Sequence, residues 1–222
     1  MSETTQSRAA QSQAVQSRGR DRIARRQVDK FAERRAELAA AALRTLAEQG
    51  YARTSLRDIA QNSEFSHGVL HYYFADKVEL ITYCVRQYKA VCVQRYDAIV
   101  ATAGSADELR KGFGGAMAQT LREDSAMHRL WYDLRNQSMF DERFRADVLD
   151  IDASLERMIW RIATRYAELT QTPVSVTSPA AYALMDGLFQ YALLRHLSGS
   201  ATAADDCDAR VQHLLDSLLS RP

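Results

Sequence analysis

The sequence predicts an all-α protein, and three observations lead to this fold class. Only nine glycines and three prolines occur in 222 residues, fewer than the frequent turns of an all-β fold require. Apolar residues recur at intervals of three and four along most of the chain, which is the spacing of amphipathic helices. Alternation with a period of two is confined to residues 174–176. We therefore expect about nine helices in total and no sheet.

The amino-terminal part is expected to begin with one longer helix. Apolar residues at helical spacing run from Phe31 to Leu46, and Gly50 follows as a suitable residue just past the helix end. Thr54 and Ser55 then precede a short amphipathic segment. A hydroxyl is therefore expected to cap the amino end of a second, short helix.

A third short helix is expected after a break at residues 62–64, with Ser66 as its N-cap. Two short helices separated by a tight turn and packed on a longer helix form a helix-turn-helix, whose second helix is sized for the major groove of DNA. Ile59, Phe65 and Leu70 are expected to pack these helices together. The opposite side would then present Ser66, His67, His71 and Tyr72.

The remainder of the chain is expected to contain a long fourth helix and five further helical segments. Asp76 is the expected N-cap of the fourth helix, which should continue to about Ala101. The other segments cover about residues 105–122, 124–138, 141–169, 178–198 and 203–219. These elements divide the chain into an arm at 1–30, a helix-turn-helix domain at 31–77 and a larger helical domain at 78–222.

Charge is distributed unevenly along the chain, although the total is only +1. Residues 1–77 carry a net charge of +4, and residues 78–222 carry −3. A basic amino-terminal part on an acidic body is typical of a chain that presents one end to a polyanion, but a solvated basic helix face has the same composition. The polar, arginine-containing residues 1–30 are expected to form a flexible basic arm, which either reaches a DNA minor groove or stays solvated.

Composition also excludes several classes of protein. Hydrophobic residues make up 46% of the chain and charged residues 26%, as in average globular proteins. No apolar run approaches the roughly 18 residues of a membrane span, and the first 30 residues lack the apolar segment of a secretion signal, so we expect a cytoplasmic protein without membrane contact. Cys84, Cys92 and Cys207 lack the spacing of a metal or redox site and are expected to be reduced, buried thiols.

Residues 54–80, TSLRDIAQNSEFSHGVLHYYFADKVEL, resemble the signature of the TetR family of bacterial transcriptional regulators. The resemblance extends over about residues 31–82 and combines a Thr-Ser pair, an Ile-Ala pair, a Ser-x-Gly helix start, a Tyr-Phe ending and a following Lys-x-x-Leu. It implies a homodimer whose amino-terminal modules bind a palindromic double-stranded DNA operator, and a larger domain that binds a small-molecule effector and releases the DNA. Repression is implied by the resemblance alone, and no cofactor is expected.

The resemblance also implies which residues contact DNA. Thr54 and Ser55 begin a helix, where hydroxyls and free backbone N–H groups suit a phosphate, and Lys77 matches the phosphate-binding lysine of the family. Glu64 departs from the usual turn sequence of the family, at a position where a positive φ is expected. The expected contacts are Thr54, Ser55, Arg57, Ser66, His67, Gly68, His71, Tyr72 and Lys77.

In the larger domain the resemblance implies an effector cavity lined by aromatic and polar residues of facing helices. Arg135 shares a helix face with Trp131, and together they would favour a planar or anionic ligand. For every candidate, ordinary core packing is the alternative. The candidates are Phe113, Met117, Trp131, Tyr132, Arg135, Met139, Trp160, Tyr166, Tyr182, Met185 and Phe189.

The last two helical segments carry apolar stripes that suit helix pairing. The resemblance implies that both stripes build a four-helix interface with a second subunit, and the alternative is that they pack inside one chain. The stripes consist of Leu184, Leu188, Tyr191 and Leu194 in the first segment, and Val211, Leu214, Leu215 and Leu218 in the second.

Other function classes find less support in the sequence. His67 and His71 have the spacing of paired metal ligands, but no third ligand stands near them, so no metal site is expected. Motifs for a nucleophile or a nucleotide phosphate do not occur, so we expect no enzyme. The alternative that remains is a helical ligand-binding or interaction protein with degenerate DNA binding, which Glu64 and the two histidines favour.

Overall fold

The structure is a computed structural model that describes residues 27–50 and 53–220, and helices dominate this part of the chain. The first helix, α1, covers residues 27–49 and so includes four residues that the sequence assigns to the arm. The arm at residues 1–26 lies outside the described residues. Four further helices complete the amino-terminal half: α2 (Leu56–Gln61), α3 (His67–Tyr73), α4 (Lys77–Cys92) and α5 (Asp97–Thr102).

The carboxyl-terminal half contains the five helical segments that the sequence predicts. A single 3-10 turn, Glu142–Phe144, precedes the longest helix. The all-α class is confirmed, since the described residues contain one isolated bridge, between Val174 and Leu219, and no strand. None of the described helices is long and apolar enough to cross a membrane. The five helices are α6 (Ala106–Glu123), α7 (Ser125–Gln137), α8 (Arg145–Thr170), α9 (Ser178–Leu197) and α10 (Ala203–Ser217).

The predicted helix ends in the amino-terminal half are confirmed. Ser55 caps α2 in a reciprocal arrangement with Asp58, in which each side chain accepts a hydrogen bond from the backbone of the other. Ser66 caps α3 and Asp76 caps α4, each by accepting a hydrogen bond from a backbone N–H three residues ahead. Gly50 follows α1 with φ of 79°. These caps fix where α2, α3 and α4 begin.

The turn between α2 and α3 differs from expectation at Glu64. Among the described non-glycine residues, Gln171 at the end of α8 is the one with positive φ, so the expected positive φ at Glu64 is wrong. The side chain of Ser63 accepts a hydrogen bond from the backbone N–H of Phe65 and closes the turn with ordinary backbone angles. Glu64 is exposed and needs no glycine-like conformation.

The fourth helix is also shorter than expected, because it ends at Cys92 instead of near Ala101. The chain turns at residues 93–96, where Arg95 pairs with Asp124 at 2.7 Å and Tyr96 is buried against α6. The Tyr96 hydroxyl lies 3.2 Å from the Thr120 hydroxyl. These contacts hold the turn against α6, and α5 follows as a separate short helix.

The two carboxyl-terminal apolar stripes have different environments. On α10, which packs mainly on α6, Val211, Leu215 and Leu218 are buried within the chain. These three residues therefore pack inside the chain, which is the alternative that the sequence left open for this stripe, and Leu214 is partly buried. On α9, Leu184 and Leu194 remain exposed.

Candidate nucleic-acid interface and ligand cavity

The helix-turn-helix is held together from its inner side. Ile59, Phe65 and Leu70 are buried between α1, α2 and α3, as the sequence predicts. The Arg34 guanidinium of α1 lies 4.6 Å from the centre of the Phe65 ring and so covers the turn. With its inner side fixed in this way, α3 exposes His67, His71 and Tyr72 to solvent, while Val69 and Tyr73 are partly buried.

The outer face of α3 consists of aromatic and polar side chains. His67 and His71 are exposed, and their rings contact each other edge to face with 4.5 Å between the ring centres. Tyr72 is 74% exposed, and its ring lies 6.2 Å from that of Phe31 on α1. An exposed aromatic ring held by a second ring offers a rigid surface with a hydroxyl for hydrogen bonding.

Gly68 lies in the first turn of α3 with open space beside it. A Cβ atom built at this position meets no protein atom within 4 Å, so packing within the chain does not require glycine here. Glycine in a helix is less stable than alanine by about 1 kcal/mol. Glycine therefore makes α3 slightly less stable here, but it allows a binding partner to come into contact with the helix backbone.

The hydroxyls before α2 have different roles. Ser55 is exposed at the helix amino terminus, and its hydroxyl also donates a hydrogen bond to the Asp58 carboxylate at 2.5 Å. This bond holds the pKa of Asp58 below its usual range. Thr54 is only 2% exposed, and its hydroxyl donates to the Gly50 carbonyl oxygen at 2.7 Å. The Thr54 hydroxyl is therefore not available for the expected phosphate contact, because it is buried and joins the end of α1 to the start of α2.

Two basic residues flank the exposed face. Arg57 is exposed in the first turn of α2. Lys77 is the first residue of α4 and is half-buried; burial lowers its pKa, while the charges of Asp133 and Asp58 act in the opposite direction. The surface thus combines two cations with two helix amino termini, which suits a polyanion.

A second candidate site is a cavity of about 50 Å³ that is lined by residues of α4, α6, α7, α8 and α9 and by Tyr96 from the turn after α4. Its wall is mostly apolar and aromatic. Six of the residues that the sequence proposes for a ligand site line this cavity: Met117, Trp131, Tyr132, Tyr182, Met185 and Phe189.

The other proposed ligand residues lie elsewhere. Phe113 is buried in the core against the Tyr96 ring, with a centroid distance of 5.2 Å. Tyr166 donates its hydroxyl hydrogen to Asp216, away from the cavity. Trp160 is half-buried beside the core, and Met139 is 71% exposed in the turn after α7.

Arg135 does not line the cavity, because two carboxylates hold it beside the wall. Its guanidinium lies 2.5 Å from Asp186 and 3.2 Å from Asp152. The Tyr132 hydroxyl donates to Asp186 at 2.9 Å, and the Tyr182 hydroxyl donates to Asp152. The positive charge of Arg135 is therefore neutralised within the protein.

Sequence reasoning missed three polar residues of the cavity wall, Lys89, His128 and Asp186. A signal was present for two of them. Lys89 lies between Val85 and Cys92, three or four residues from each, and thus interrupts the buried apolar stripe of α4. His128 precedes Trp131 by three residues and so shares its face of α7.

The helix α7 joins the cavity wall to the helix-turn-helix. Its Arg129 donates to the backbone carbonyl oxygens of Ala47 and Glu48, the latter at 3.0 Å, at the carboxyl end of α1. Carbonyls at a helix end have no partner within the helix, so a cation there is stabilising. Arg129 therefore joins α7 to the carboxyl end of α1.

The described residues contain no group of three or more His, Cys, Asp or Glu side chains that could hold a metal ion. His67 and His71 contact each other on the surface of α3. All three cysteines are buried and free, as the sequence predicts, and burial raises the pKa of the Cys207 thiol to about 11.

Comparison with known proteins gives a family match for the part of the chain that contains the helix-turn-helix. Residues 38–84 match the family model described as bacterial regulatory proteins, tetR family. No curated protein matches the chain in sequence. A Rhodococcus sp. protein assigned to the TetR family superposes with a TM-score of 0.68 at 19% identity, covering 85% of this chain and 100% of its own.

Two other solved structures contain small molecules. The transcriptional regulator FadR from Bacillus subtilis, in complex with stearoyl-CoA, has a TM-score of 0.67 at 15% identity and covers 83% of this chain and 99% of its own. A protein from Saccharomonospora viridis in complex with choline has a TM-score of 0.67 at 16% identity and covers 86% of this chain and 100% of its own. At such identities the likeness concerns the fold.

Proposed function

We propose that this chain, which belongs to the TetR family of bacterial regulatory proteins, is a ligand-responsive transcriptional repressor. In this proposal a homodimer binds a palindromic DNA operator in the cytoplasm, and a small-molecule effector releases it. Residues 31–77 bind DNA, residues 78–222 bind the effector and the second subunit, and residues 1–30 are an arm. The protein acts by binding and not by catalysis.

The observation that carries the proposal is the outer face of α3. It places Ser66, His67, His71 and Tyr72 in solvent on a helix whose inner side is fixed, with Gly68 open between them. A helix presented in this way fits the major groove, where its side chains reach base edges and its amino end faces a phosphate. We assign Ser55, Arg57 and Lys77 to the DNA backbone, because these groups flank that face.

Gly68→Ala is expected to raise the free energy of unfolding by up to about 1 kcal/mol and to weaken operator binding about tenfold. The added Cβ meets no protein atom, so the gain in helix stability is not offset by a clash within the chain. In the complex, the same methyl group would occupy the space that the sugar-phosphate wall needs. Urea unfolding and fluorescence anisotropy with labelled operator measure the two quantities.

Gly115→Ala is the matched control, because a Cβ at this position of α6 also meets nothing within 4 Å. It should stabilise the protein to a similar extent and leave operator affinity unchanged. Equal operator affinities of the Gly68→Ala and Gly115→Ala variants would show that Gly68 does not lie in the DNA interface.

The dimer is supported by α9, which has apolar residues on its exposed side as well as its buried side. Leu184, Tyr191, Leu194 and Leu197 are all at least 45% exposed. A helix that is apolar all round is usually covered on every side. Pairing of α9 with its copy would bury these residues and set two α3 helices against successive major grooves, about 34 to 36 Å apart.

Effector response is supported by the cavity and its connections. The solved relatives hold stearoyl-CoA in one case and choline in another, so this fold accommodates small molecules. In this chain α4 contributes Lys89 to the cavity and begins at Lys77 beside α3, while Arg129 links α7 to α1. A ligand that shifts α4 or α7 would therefore change the spacing of the two α3 helices.

Binding to a pool of random duplex DNA, followed by sequencing of the retained fraction, tests the proposal. A palindrome with half-sites about one helical turn apart is expected, and its affinity should fall with salt at a log-log slope of about −0.9 per phosphate contacted. A folded dimer that enriches no sequence and shows no salt-dependent association would contradict the regulator. Such a result would favour the ligand-binding protein with degenerate DNA binding.

A further inference from the structure

The cavity wall contains a buried lysine without a carboxylate partner. Lys89 is 3% exposed, and none of the ion pairs among the described residues includes it. Its ammonium nitrogen lies 3.2 Å from Nδ1 of His128 and 5.3 Å from the centre of the Trp131 ring. An ammonium has three N–H donors, so these contacts leave donors for a further acceptor.

The protonation of His128 follows from this neighbour. Burial first, and then the charge of Lys89, lowers the pKa of His128 well below 6.5, so its imidazole is neutral. Nδ1 faces the ammonium and must accept its hydrogen bond, which leaves the proton on Nε2. Nε2 is buried and has no partner among the described residues, and the same is true of Nε1 of Trp131, which is always a donor.

The cavity wall therefore has more hydrogen-bond donors than the acceptors of the protein satisfy. Lys89, His128 and Trp131 line one cavity and all offer N–H groups. The carboxylate of Asp186, in contrast, already accepts from Arg135 at 2.5 Å and from the Tyr132 hydroxyl at 2.9 Å. A ligand with a negative charge and acceptor oxygens would satisfy these donors, whereas a cation would meet the ammonium without a free carboxylate.

The volume of the cavity and the apolar residues of its wall limit the size and polarity of the ligand. A volume of about 50 Å³ holds a group of one or two water volumes, which fits a carboxylate. The apolar part of the wall includes Met117, Met158 and Met185, whose unbranched side chains can move to admit more apolar volume. The ligand is thus small and apolar apart from its charged end.

We propose that the cavity binds a small monocarboxylic acid with an apolar body, whose carboxylate accepts hydrogen bonds from Lys89, His128 and Trp131 and whose body displaces the methionine side chains. The proposal rests on the proposed function, in which this cavity holds the effector. The proposal favours an anionic ligand over a cationic one. Both kinds occur in the similar solved structures, since stearoyl-CoA is an anion and choline carries a positive charge.

Direct binding without DNA tests the ligand class at neutral pH. Isothermal titration and thermal shift would compare hexanoate, octanoate and phenylacetate with hexanamide and with choline. The carboxylates are expected to bind and raise Tm, and the uncharged and cationic compounds are expected not to. Stabilisation by choline, or no binding of any of the carboxylates at millimolar concentration, would overturn the proposal.

Two variants examine the donors individually. Lys89→Met should reduce carboxylate affinity about 10- to 100-fold, as expected for a lost charge-assisted hydrogen bond. Trp131→Phe keeps an apolar aromatic side chain and the charge of the cavity, but it removes the Nε1 donor together with the pyrrole part of the indole, and should cost a smaller factor. Lys111→Met is the control, because this exposed lysine pairs with Asp107 outside the cavity. Unchanged affinity in both cavity variants, with native helical content, would place the carboxylate elsewhere.

A separate arm adds the carboxylate to the protein–operator complex. Operator binding without carboxylate binding would leave the regulator intact and reject this ligand class. Carboxylate binding by a protein that selects no DNA would support the cavity assignment and count against the proposed function alone.

Discussion

Between about pH 8 and pH 10.5 the protein is expected to gain about 3 kcal/mol in free energy of unfolding relative to its Lys89→Met variant. Burial lowers the pKa of Lys89 from 10.5 to about 8; the charges of Cys92, Asp186 and Asp152 oppose this effect, and Arg95 adds to it. The unfolded chain keeps the ordinary pKa and so binds a proton in this window that the folded chain releases. Stability therefore rises with pH across the window.

Urea unfolding of both proteins at a series of pH values measures this difference. Groups that titrate in the same range without interacting with Lys89 are shared by the two proteins and cancel in the comparison. Lys111→Met should follow the native sequence throughout, since its ammonium is exposed. Parallel curves for the native sequence and Lys89→Met would show that the ammonium is solvated, and would also remove the buried charge on which the carboxylate proposal depends.

The helix boundaries that the sequence predicted correctly depend on local interactions. Ser55, Ser66 and Asp76 each accept a hydrogen bond from a backbone group three residues ahead. Gly50 provides the positive φ that ends α1 within the same few residues. Such features can be predicted from sequence because both partners of each contact lie in one short segment.

Features that depend on distant partners were predicted less well. The break after Cys92 depends on contacts of Arg95 and Tyr96 with α6, about 25 residues away along the chain. Arg135 was proposed for the ligand because it shares a face with Trp131, but Asp152 and Asp186 from other helices neutralise it. Periodicity places a residue on one face of a helix and does not identify its partner on the next helix.

The apolar stripes of α9 and α10 show the same limit. Both have helical spacing, so the sequence suggests that both serve a subunit interface. The structure buries Val211 and Leu215 of α10 against the same chain and leaves Leu194 of α9 exposed. Only the packing of α10 on α6 distinguishes them.

If α9 forms the proposed dimer contact, Leu194→Glu is expected to give a folded monomer and to reduce operator affinity at least about 100-fold. Leu194 is 64% exposed in the single chain, so the substitution leaves the core intact. In a two-fold symmetric pairing of α9, each copy would place its glutamate in the apolar contact, where an unpaired charge is unfavourable. Sedimentation velocity gives the mass, and anisotropy gives the operator affinity.

Leu149→Glu is the matched control, because Leu149 is 61% exposed on α8, outside the exposed face of α9. It introduces the same charge and should leave both the dimer and the operator affinity unchanged. A monomer has one α3 and gains nothing from the second half-site, so Leu194→Glu should bind a half-site and the full palindrome with similar affinity per site. A dimeric Leu194→Glu protein with undiminished affinity for the palindrome would place the subunit contact on another face.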